Sequence, residues 1–323
     1  MTLEIIGTGK CLPKAAINNQ FLETVVDTSD EWISSRTGIH KRHLASKETT
    51  ASMAVEAAKQ AIENANINAE DIELIITATI SPDYAFPSTA CMVQQAVGAV
   101  NAVSMDLSAA CSGFIFAINT AYAYIRAGIY KTALLIGTET LSRHIDWADR
   151  STCVLFGDGA GAAVVKSSKR GLIGLEQGSD GQKGMVLNCR YPEVSNPLNQ
   201  RVAVPGYVQM EGQEVFKFAV KKVPECIDAL LEKEHMTHAD ISWYLLHQAN
   251  IRIIQSIAKR LREPLEKFPS NLEQYGNTSA ASIPILLDEV HRSGQIKKGD
   301  KLIMAGFGGG LTWGACLLEW TID

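Results

Sequence analysis

Three residues far apart in the chain have side chains suited to acyl chemistry: Cys111, His247 and Asn277. Cys111 lies in Met-Asp-Leu-Ser-Ala-Ala-Cys-Ser-Gly-Phe, residues 105–114, where an extended segment turns into the apolar, alanine-rich run Phe114–Ile125. That run has no Pro and reads as a buried helix. A thiol in the first turn of such a helix faces free N–H groups and the positive end of the dipole, both of which favour thiolate, the nucleophilic form. The small neighbours Ser108, Ala109, Ala110, Ser112 and Gly113 leave room for an acyl group beside the sulfur. Taken alone, the residue fits an inert buried cysteine as well. His247 ends the apolar strand pattern Trp243-Tyr-Leu-Leu-His, and by itself fits a satisfied core histidine. Asn277, in Tyr-Gly-Asn-Thr-Ser-Ala, by itself fits a helix cap. Together the three supply a nucleophile and two donors, the residue types of nucleophilic acyl chemistry.

The elements that must position them alternate between helical and strand patterns, which points to an α/β protein. A helix over 49–66 is followed by Ala-Glu-Asp-Ile and a strand at Leu74–Thr79; a helix over 214–235 is followed by Ala-Asp-Ile and a strand at Trp243–His247. Asp71 and Asp240 match at an offset of 169 (240 − 71), Leu134 and Leu302 at 168 (302 − 134), and the junctions at Cys111 and Asn277 at 166 (277 − 111). The near-constant offset implies an internal duplication, with halves 1–167 and 168–323 and a looser joining region around 167–210. Two such halves side by side bring equivalent strand-to-helix junctions together, so Cys111 and Asn277 are expected to meet near the centre, where α/β sheets bind ligands.

Composition narrows the function. A chain of 323 residues, 46% hydrophobic and 20% charged, suits a globular protein of about two domains. A net charge of −5 argues against a general nucleic-acid binder. No stretch has the ~20 apolar residues of a membrane span, and the N-terminal Met-Thr-Leu-Glu-Ile-Ile-Gly-Thr-Gly reads as a strand rather than a signal peptide. The seven cysteines (11, 91, 111, 153, 189, 226 and 316) form no Cys-x-x-Cys pair and no cluster with histidine, so no metal is expected and reduced thiols in a cytoplasm are.

An ordered set of motifs then runs from end to end: Thr28-Ser-Asp-Glu-Trp-Ile, Arg36-Thr-Gly-Ile, Ala109-Ala-Cys-Ser-Gly, Phe156-Gly-Asp-Gly-Ala-Gly, His247-Gln-Ala-Asn, Tyr275-Gly-Asn-Thr-Ser and Gly306-Phe-Gly-Gly-Gly-Leu-Thr-Trp-Gly. Through them the chain resembles the β-ketoacyl-acyl-carrier-protein synthase III family, the initiating condensing enzymes of type II fatty acid synthesis. The resemblance implies a thiolase-like, internally duplicated αβαβα fold of five layers. It implies that Cys111 takes the acyl group of an acyl-coenzyme A, with the backbone N–H groups of Cys111 and Gly309 as oxyanion hole. Malonyl-acyl-carrier protein would then lose carbon dioxide, and its enolate-like carbon would attack the acyl-enzyme to give a 3-oxoacyl-carrier protein. His247 Nε2 and the Asn277 amide would donate to the malonyl thioester oxygen, neutral donors sufficing if preorganised. No cofactor is implied, since the coenzyme A thioester is a substrate.

The same resemblance places Trp32 and Arg150 around the adenine of coenzyme A, Arg36 near phosphate, Thr28 at the nucleotide end, and Gly212 and Asn250 along the pantetheine arm. Stacking of guanidinium and indole suits that site. Carrier protein is acidic, and a basic patch for it is sought in Arg252, Lys259 and Arg260 after the histidine, with Gln248 beside it, and in Lys217 and Lys221 at i, i+4 on the preceding helix; solvated helix faces are the competing account. Phe86 resembles the aromatic that a homodimer partner lends to the acyl pocket, so a homodimer is expected. Acetyl, branched short-chain and longer primers all remain open. A specialised starter enzyme of polyketide or quinolone synthesis is the alternative on the same fold. A degradative thiolase is disfavoured because Cys316 lies beyond the glycine-rich segment, and an elongating enzyme because Asn277 stands where a second histidine is needed. Gly157-Asp-Gly-Ala-Gly and Gly308-Gly-Gly lead into strand patterns at Ala162–Val165 and Ala315–Trp320, reading as hairpin turns and not as a dinucleotide site. A non-catalytic scaffold is disfavoured by the three intact positions.

Overall fold

The apolar run Leu74–Ala78 is buried at every position, as a parallel strand covered by helices on both faces must be. The computed structural model describes residues 1–199, 204 and 206–323; residues 200–203 and 205 of the expected joining region lie outside the described residues. Strands β1 (Thr2–Cys11), β2 (Leu74–Ala78), β3 (Val103–Leu107), β4 (Thr132–Glu139) and β5 (Gly159–Ser168) form one sheet in the order β1-β5-β4-β2-β3. Strands β6 (Leu172–Ser179), β7 (Trp243–Leu246), β8 (Lys301–Gly308) and β9 (Thr312–Glu319) form a second, in the order β7-β8-β9-β6. Read from its other edge, the second sheet repeats the first without a counterpart of β3. The pairing senses repeat too: β2 with β4 and β7 with β8 are parallel, and the remaining equivalent pairs are antiparallel.

Seven helices matter for the site: α1 (Asp30–Thr37), α2 (Thr50–Ala65), α3 (Thr89–Val97), α4 (Gly113–Arg126), α5 (Gly212–Lys233), α6 (Ile251–Leu261) and α7 (Ser282–Arg292). The helices α4 and α7 lie between the two sheets. Phe114, Ile115 and Ile118 of α4 and Ile283, Leu286 and Leu287 of α7 share one core with Leu74, Ile76 and Leu135 of the first sheet and Leu245, Leu302 and Met304 of the second. Each such side chain contributes about 1.5–3 kcal/mol when fully buried. Helices α2 and α3 cover the outer face of the first sheet, through Ala57, Ala58 and Ala61 against Leu134, Ile136 and Ala162. Helices α5 and α6 cover the outer face of the second, through Ile227, Leu230, Ile254 and Ile257 against Tyr244, Leu246 and Ile303. The result is the five-layered αβαβα arrangement.

The structure sharpens the internal equivalence. The strand starts Thr132 and Lys301, the helix starts Gly113 and Ser282, and the turns ending at Asp71 and Asp240 all differ by 169 (301 − 132, 282 − 113, 240 − 71). At that offset the partner of Cys111 is Ala280, and Asn277 lies three residues before it. The strands also end one residue early: Thr79 leaves β2, and His247 follows β7 with its N–H still bonded to Ala305 at 2.8 Å. Of the two glycine-rich runs only the second is a tight hairpin, where Gly308 pairs with Thr312; the first opens β5.

Candidate active site

Cys111 sits in a 3₁₀ turn, Ala110–Ser112, that runs directly into α4. The backbone of Ala110 is left-handed (φ 45°), a conformation a residue with Cβ rarely adopts and one often found at functional sites. Two hydroxyls pin this turn to the glycine-rich hairpin. Ser112 Oγ donates to the Ala109 carbonyl at 2.8 Å, and the Thr312 hydroxyl is 2.8 Å from Ser112 Oγ and 3.1 Å from the Gly309 carbonyl. Gly308 is required here, because a Cβ on it would stand 2.6 Å from the Cys111 nitrogen. Gly309 follows as the next residue of the hairpin, its Cα side facing Ala110 and the Leu187 carbonyl.

The sulfur is enclosed, and this corrects the expectation of a resting thiolate. Burial pushes the thiol up to about 12; a hydrogen bond with the Ser279 hydroxyl and the residue's own N–H pull the other way, and nearby Glu139 pushes it further up. The dipole of α4 is too weak a term to overcome desolvation in a closed site.

His247 is also enclosed, and burial lowers it to about 3, so the imidazole is neutral. Its Nδ1 lies 2.7 Å from Ser282 Oγ at the start of α7. Ser282 Oγ also accepts the Gln248 N–H at 3.4 Å and keeps a proton it can donate to Nδ1, the arrangement that goes with the ring proton on Nε2. The ring packs edge-on against Phe307 of β8, centroids 5.3 Å apart. Asn277 is held at both backbone groups, its N–H donating to Leu155 at 2.9 Å and its carbonyl accepting from Gly157 at 3.0 Å. The Asn277 Oδ1 accepts the Ser279 N–H at 2.9 Å, which leaves the amide NH2 as the free, donating end. The 3₁₀ turn Ser279–Ala281 then packs against the Cys111 turn. The cysteine of one half and the donors of the other therefore converge, through residues that pattern alone did not single out: Ser279, Ser282, Thr312 and Glu139. Serines and threonines in turns carry no periodic signal, and only the duplication, taken at 169, would have pointed to Ser279 opposite Ala110.

Outside this centre, Trp32 of α1 lies under two guanidiniums, Arg36 at 4.5 Å and Arg150 at 4.9 Å from the ring centroid. Thr28 Oγ1 is buried beside this helix with no hydrogen-bond partner. Asn250 caps α6 by accepting the Arg252 N–H at 2.8 Å, and its amide donates to the Arg36 carbonyl at 3.1 Å. Gly212 opens α5 on the surface. Arg252, Lys259 and Arg260 are exposed on α6, Lys217 and Lys221 on the adjoining α5, and Arg260 reaches the Val220 carbonyl across the two. Lys217 is paired with Glu214 at 2.8 Å and Arg260 with Glu225 at 3.7 Å. Gln248 is a correction: it is 1% exposed, its amide bonded to the Leu246 carbonyl and to the Ser270 hydroxyl, each at 2.7 Å, so it cannot touch a carrier protein. Phe86, by contrast, is 86% exposed.

Comparisons with known proteins agree with this geometry. Residues 105–181 match the family described as 3-oxoacyl-[acyl-carrier-protein] synthase III, and residues 231–320 match its C-terminal part. The chain is 49% identical over 322 residues to the β-ketoacyl-[acyl-carrier-protein] synthase III of Clostridium acetobutylicum, an alignment spanning 99% of each chain. The solved 3-oxoacyl-[acyl-carrier-protein] synthase III of Aquifex aeolicus superposes with a TM-score of 0.92 at 46% identity, over 98% of this chain and 100% of that one. The priming β-ketosynthase of the R1128 polyketide pathway superposes at 0.91 with 34% identity, over 99% and 96%. With Cys111 on one half, His247 and Asn277 on the other and a full-length likeness to these enzymes, the chain belongs to the β-ketoacyl-[acyl-carrier-protein] synthase III family of condensing acyltransferases.

Proposed function

We propose that Cys111 accepts the acyl group of an acyl-coenzyme A primer and that His247 and Asn277 drive decarboxylative condensation with malonyl-acyl-carrier protein. The observation that carries this reading is a pair of neutral, buried groups held in place: the His247 imidazole, fixed at Nδ1 by Ser282 so that Nε2 can donate, and the amide of Asn277, set by the Ser279 N–H. Such donors stabilise the oxygen that becomes negative as carbon dioxide leaves, typically by ~3–4 kcal/mol each in a water-free site. In the first half-reaction the Cys111 sulfur bonds to the acyl carbon as the C–S bond to coenzyme A breaks, and the thiol proton ends on the departing coenzyme A thiol. The Cys111 and Gly309 N–H groups are the donors for the tetrahedral oxyanion. In the second, the carbon released by decarboxylation attacks the same acyl carbon, and Cys111 departs as 3-oxoacyl-carrier protein forms. Initiation of fatty acid synthesis is favoured over a polyketide starter role by the 49% identity to the clostridial enzyme against 34% to the polyketide priming enzyme.

Coenzyme A would lie over α1, its adenine entering between Trp32 and Arg150 and parting the stack that now closes there. Arg36 would meet phosphate and the unpartnered Thr28 hydroxyl would gain an acceptor. Gly212 leaves the rim at α5 without a side chain along the pantetheine arm; the Asn250 amide would reach that arm only by giving up the Arg36 carbonyl. Carrier protein would dock on the exposed cations of α5 and α6, with Arg252 and Lys259 foremost, since Lys217 and Arg260 are already paired. A homodimer would form about β3, an edge strand with exposed Val103, bringing the exposed Phe86 into the partner's acyl pocket. Among the described residues no helix is long and apolar enough to cross a membrane, which fits a cytoplasmic enzyme working on soluble thioesters. The deciding experiment offers a panel of acyl-coenzyme A primers with malonyl-carrier protein and follows 3-oxoacyl product. Condensation with any primer supports the reading, and none with acetyl, branched or longer primers would sink it.

A further inference from the structure

Glu139 is a fully buried carboxyl that the proposed chemistry does not use. It ends β4, and its two oxygens face different halves of the molecule. Oε2 accepts the Thr79 hydroxyl and the Ile80 N–H, each at 3.1 Å, and the Ser81 hydroxyl at 2.5 Å, all from the segment after β2. Oε1 accepts the Ser279 hydroxyl at 3.2 Å, a bond that crosses to the other half, and shares the Ile80 N–H at 3.3 Å. Ser279 opens the turn Ser279–Ala281 in a left-handed backbone (φ 51°), which a residue with Cβ holds only where its surroundings fix it. The other two side chains of that turn are methyls, so Ser279 alone can tie it down by a side-chain hydrogen bond. The Ser279 N–H in turn donates to Asn277 Oδ1 at 2.9 Å. A chain of contacts thus runs from carboxyl to hydroxyl to turn to amide.

The internal repeat shows what is particular to this contact. At the offset of 169, Glu139 corresponds to Gly308 (308 − 139), the last residue of β8, and Ser279 to Ala110 (279 − 110), also left-handed at φ 45°. In both halves the end of a strand meets the first residue of the other half's turn. At Gly308 the meeting is close enough to exclude a side chain, since a Cβ there would stand 2.6 Å from the Cys111 nitrogen and 3.2 Å from Ala110 Cβ. At Glu139 a side chain makes the contact by hydrogen bond. Two residues earlier on β4, Gly137 already admits the Ala280 carbonyl, so close seating of the turn does not by itself call for a carboxyl at 139. What Glu139 adds is an acceptor for one hydroxyl, and with it a fixed direction for Ser279.

We propose that Glu139 is a positioning residue for condensation: by holding Ser279 it keeps the NH2 end of the Asn277 amide, and not the oxygen, turned toward the reacting thioester. The inference rests on the reading of Asn277 as a donor to the malonyl oxygen. The Asn277 backbone is held by Leu155 and Gly157 whichever way its amide turns. The two ends of that amide have the same shape and opposite hydrogen-bonding character, and the Ser279 N–H is the contact that tells them apart. An amide turned end over end would present its oxygen to an oxygen gaining negative charge. Glu139 can secure the turn from behind because Oε2 is already fixed by three partners in its own half.

The test follows two rates in wild type, Ser279→Ala, Glu139→Asp and the double variant: acylation of Cys111 by acetyl-coenzyme A, and single-turnover condensation of preacylated enzyme with malonyl-carrier protein. Ser279→Ala removes the bridge and leaves Glu139 its partners after β2; Glu139→Asp keeps the carboxyl and shortens its reach by one methylene. Each should slow condensation about fivefold to tenfold, the size of one lost hydrogen bond, with acylation and the KM for malonyl-carrier protein within about twofold of wild type. The double variant should be no slower than the slower single one, since both cut the same link. In protein isotopically labelled at its asparagine amides, the NH2 resonances that Asn277→Ala removes should shift in Ser279→Ala and in Glu139→Asp. Equal losses of acylation and condensation, additive losses in the double variant, or unchanged condensation or Asn277 resonances in Ser279→Ala would each overturn the inference. Should Glu139→Asp fail to fold, Ser279→Ala cuts the same bond from its other end and carries the test. If wild type condenses no primer, the functional reading falls instead, and the Asn277 resonances alone judge the hold of Glu139 on the amide.

Discussion

The two turns that meet at the centre are built alike and used differently. Ala110-Cys111-Ser112 and Ser279-Ala280-Ala281 each begin with a left-handed residue, each feed a helix of the middle layer, and each press on a glycine of the opposite half. A Cβ on Gly137 would lie 2.1 Å from the Ala280 carbonyl oxygen, and one on its counterpart Gly306 would lie 3.4 Å from that of Cys111. One turn places a thiol at the contact; the other places a methyl there and surrounds it with donors, namely Asn277, Ser279 and Ser282. The difference teaches how a duplicated scaffold divides labour. The same geometry offers an equivalent position twice; on the proposed reading only one copy needs the nucleophile, and the other is free to orient what the nucleophile meets.

That contrast can be broken by substitution. The largest effect is expected for Cys111→Ala, which should abolish both acyl-enzyme formation, read by mass spectrometry, and product formation. His247→Ala or Asn277→Ala should lower condensation by roughly 10²–10³-fold while leaving self-acylation by acyl-coenzyme A nearly intact. Equal loss of acylation in all three would erase the division between the turns. Gly137→Ala should destabilise the fold by roughly 3 kcal/mol, because a backbone carbonyl must move, whereas Gly306→Ala should cost about 1 kcal/mol, read as a small drop in Tm. Ser282→Ala should slow condensation about threefold to tenfold, the size of one lost hydrogen bond, and shift the nitrogen resonances of His247 as the tautomers mix. Smallest is a pH effect. The folded chain holds His247 near 3 against an ordinary 6.5, so the unfolded chain binds the extra proton between those values. His247 thus takes stability away as pH falls from about 6.5 toward 3 and is neutral to stability above that range, so acid unfolding of His247→Ala should be shallower than that of the wild type.

Much of this was legible in the sequence, and the reasons differ by element. The helices at 50–65 and 251–261 and the strand at 74–78 follow from periodicity and apolar runs, because burial on one face or both writes itself into residue order. The convergence of Cys111 with Asn277 followed from the duplication, although the true equivalence is with Ala280. The state of the thiol was not legible: a helix start implies thiolate, but enclosure is a tertiary property and reverses the sign. Gln248 misled for a related reason, since adjacency to His247 in sequence says nothing of which way a side chain turns after a strand ends. Glu139 was hidden because a carboxylate at the end of an apolar strand looks like any solvated terminus until the loop after the neighbouring strand folds over it.

The placement of α4 and α7 between the sheets has a consequence for how activity is lost. Cys111 lies in the turn that runs into α4, Asn277 just before the turn that runs into α7, and His247 at the end of the buried strand β7, so no peripheral segment can loosen and carry one of them away. Local opening of the kind that inactivates loop-built sites has nothing here to act on. Heat should leave a population that is either fully active or unfolded, and the inactivation curve should overlay the melting curve.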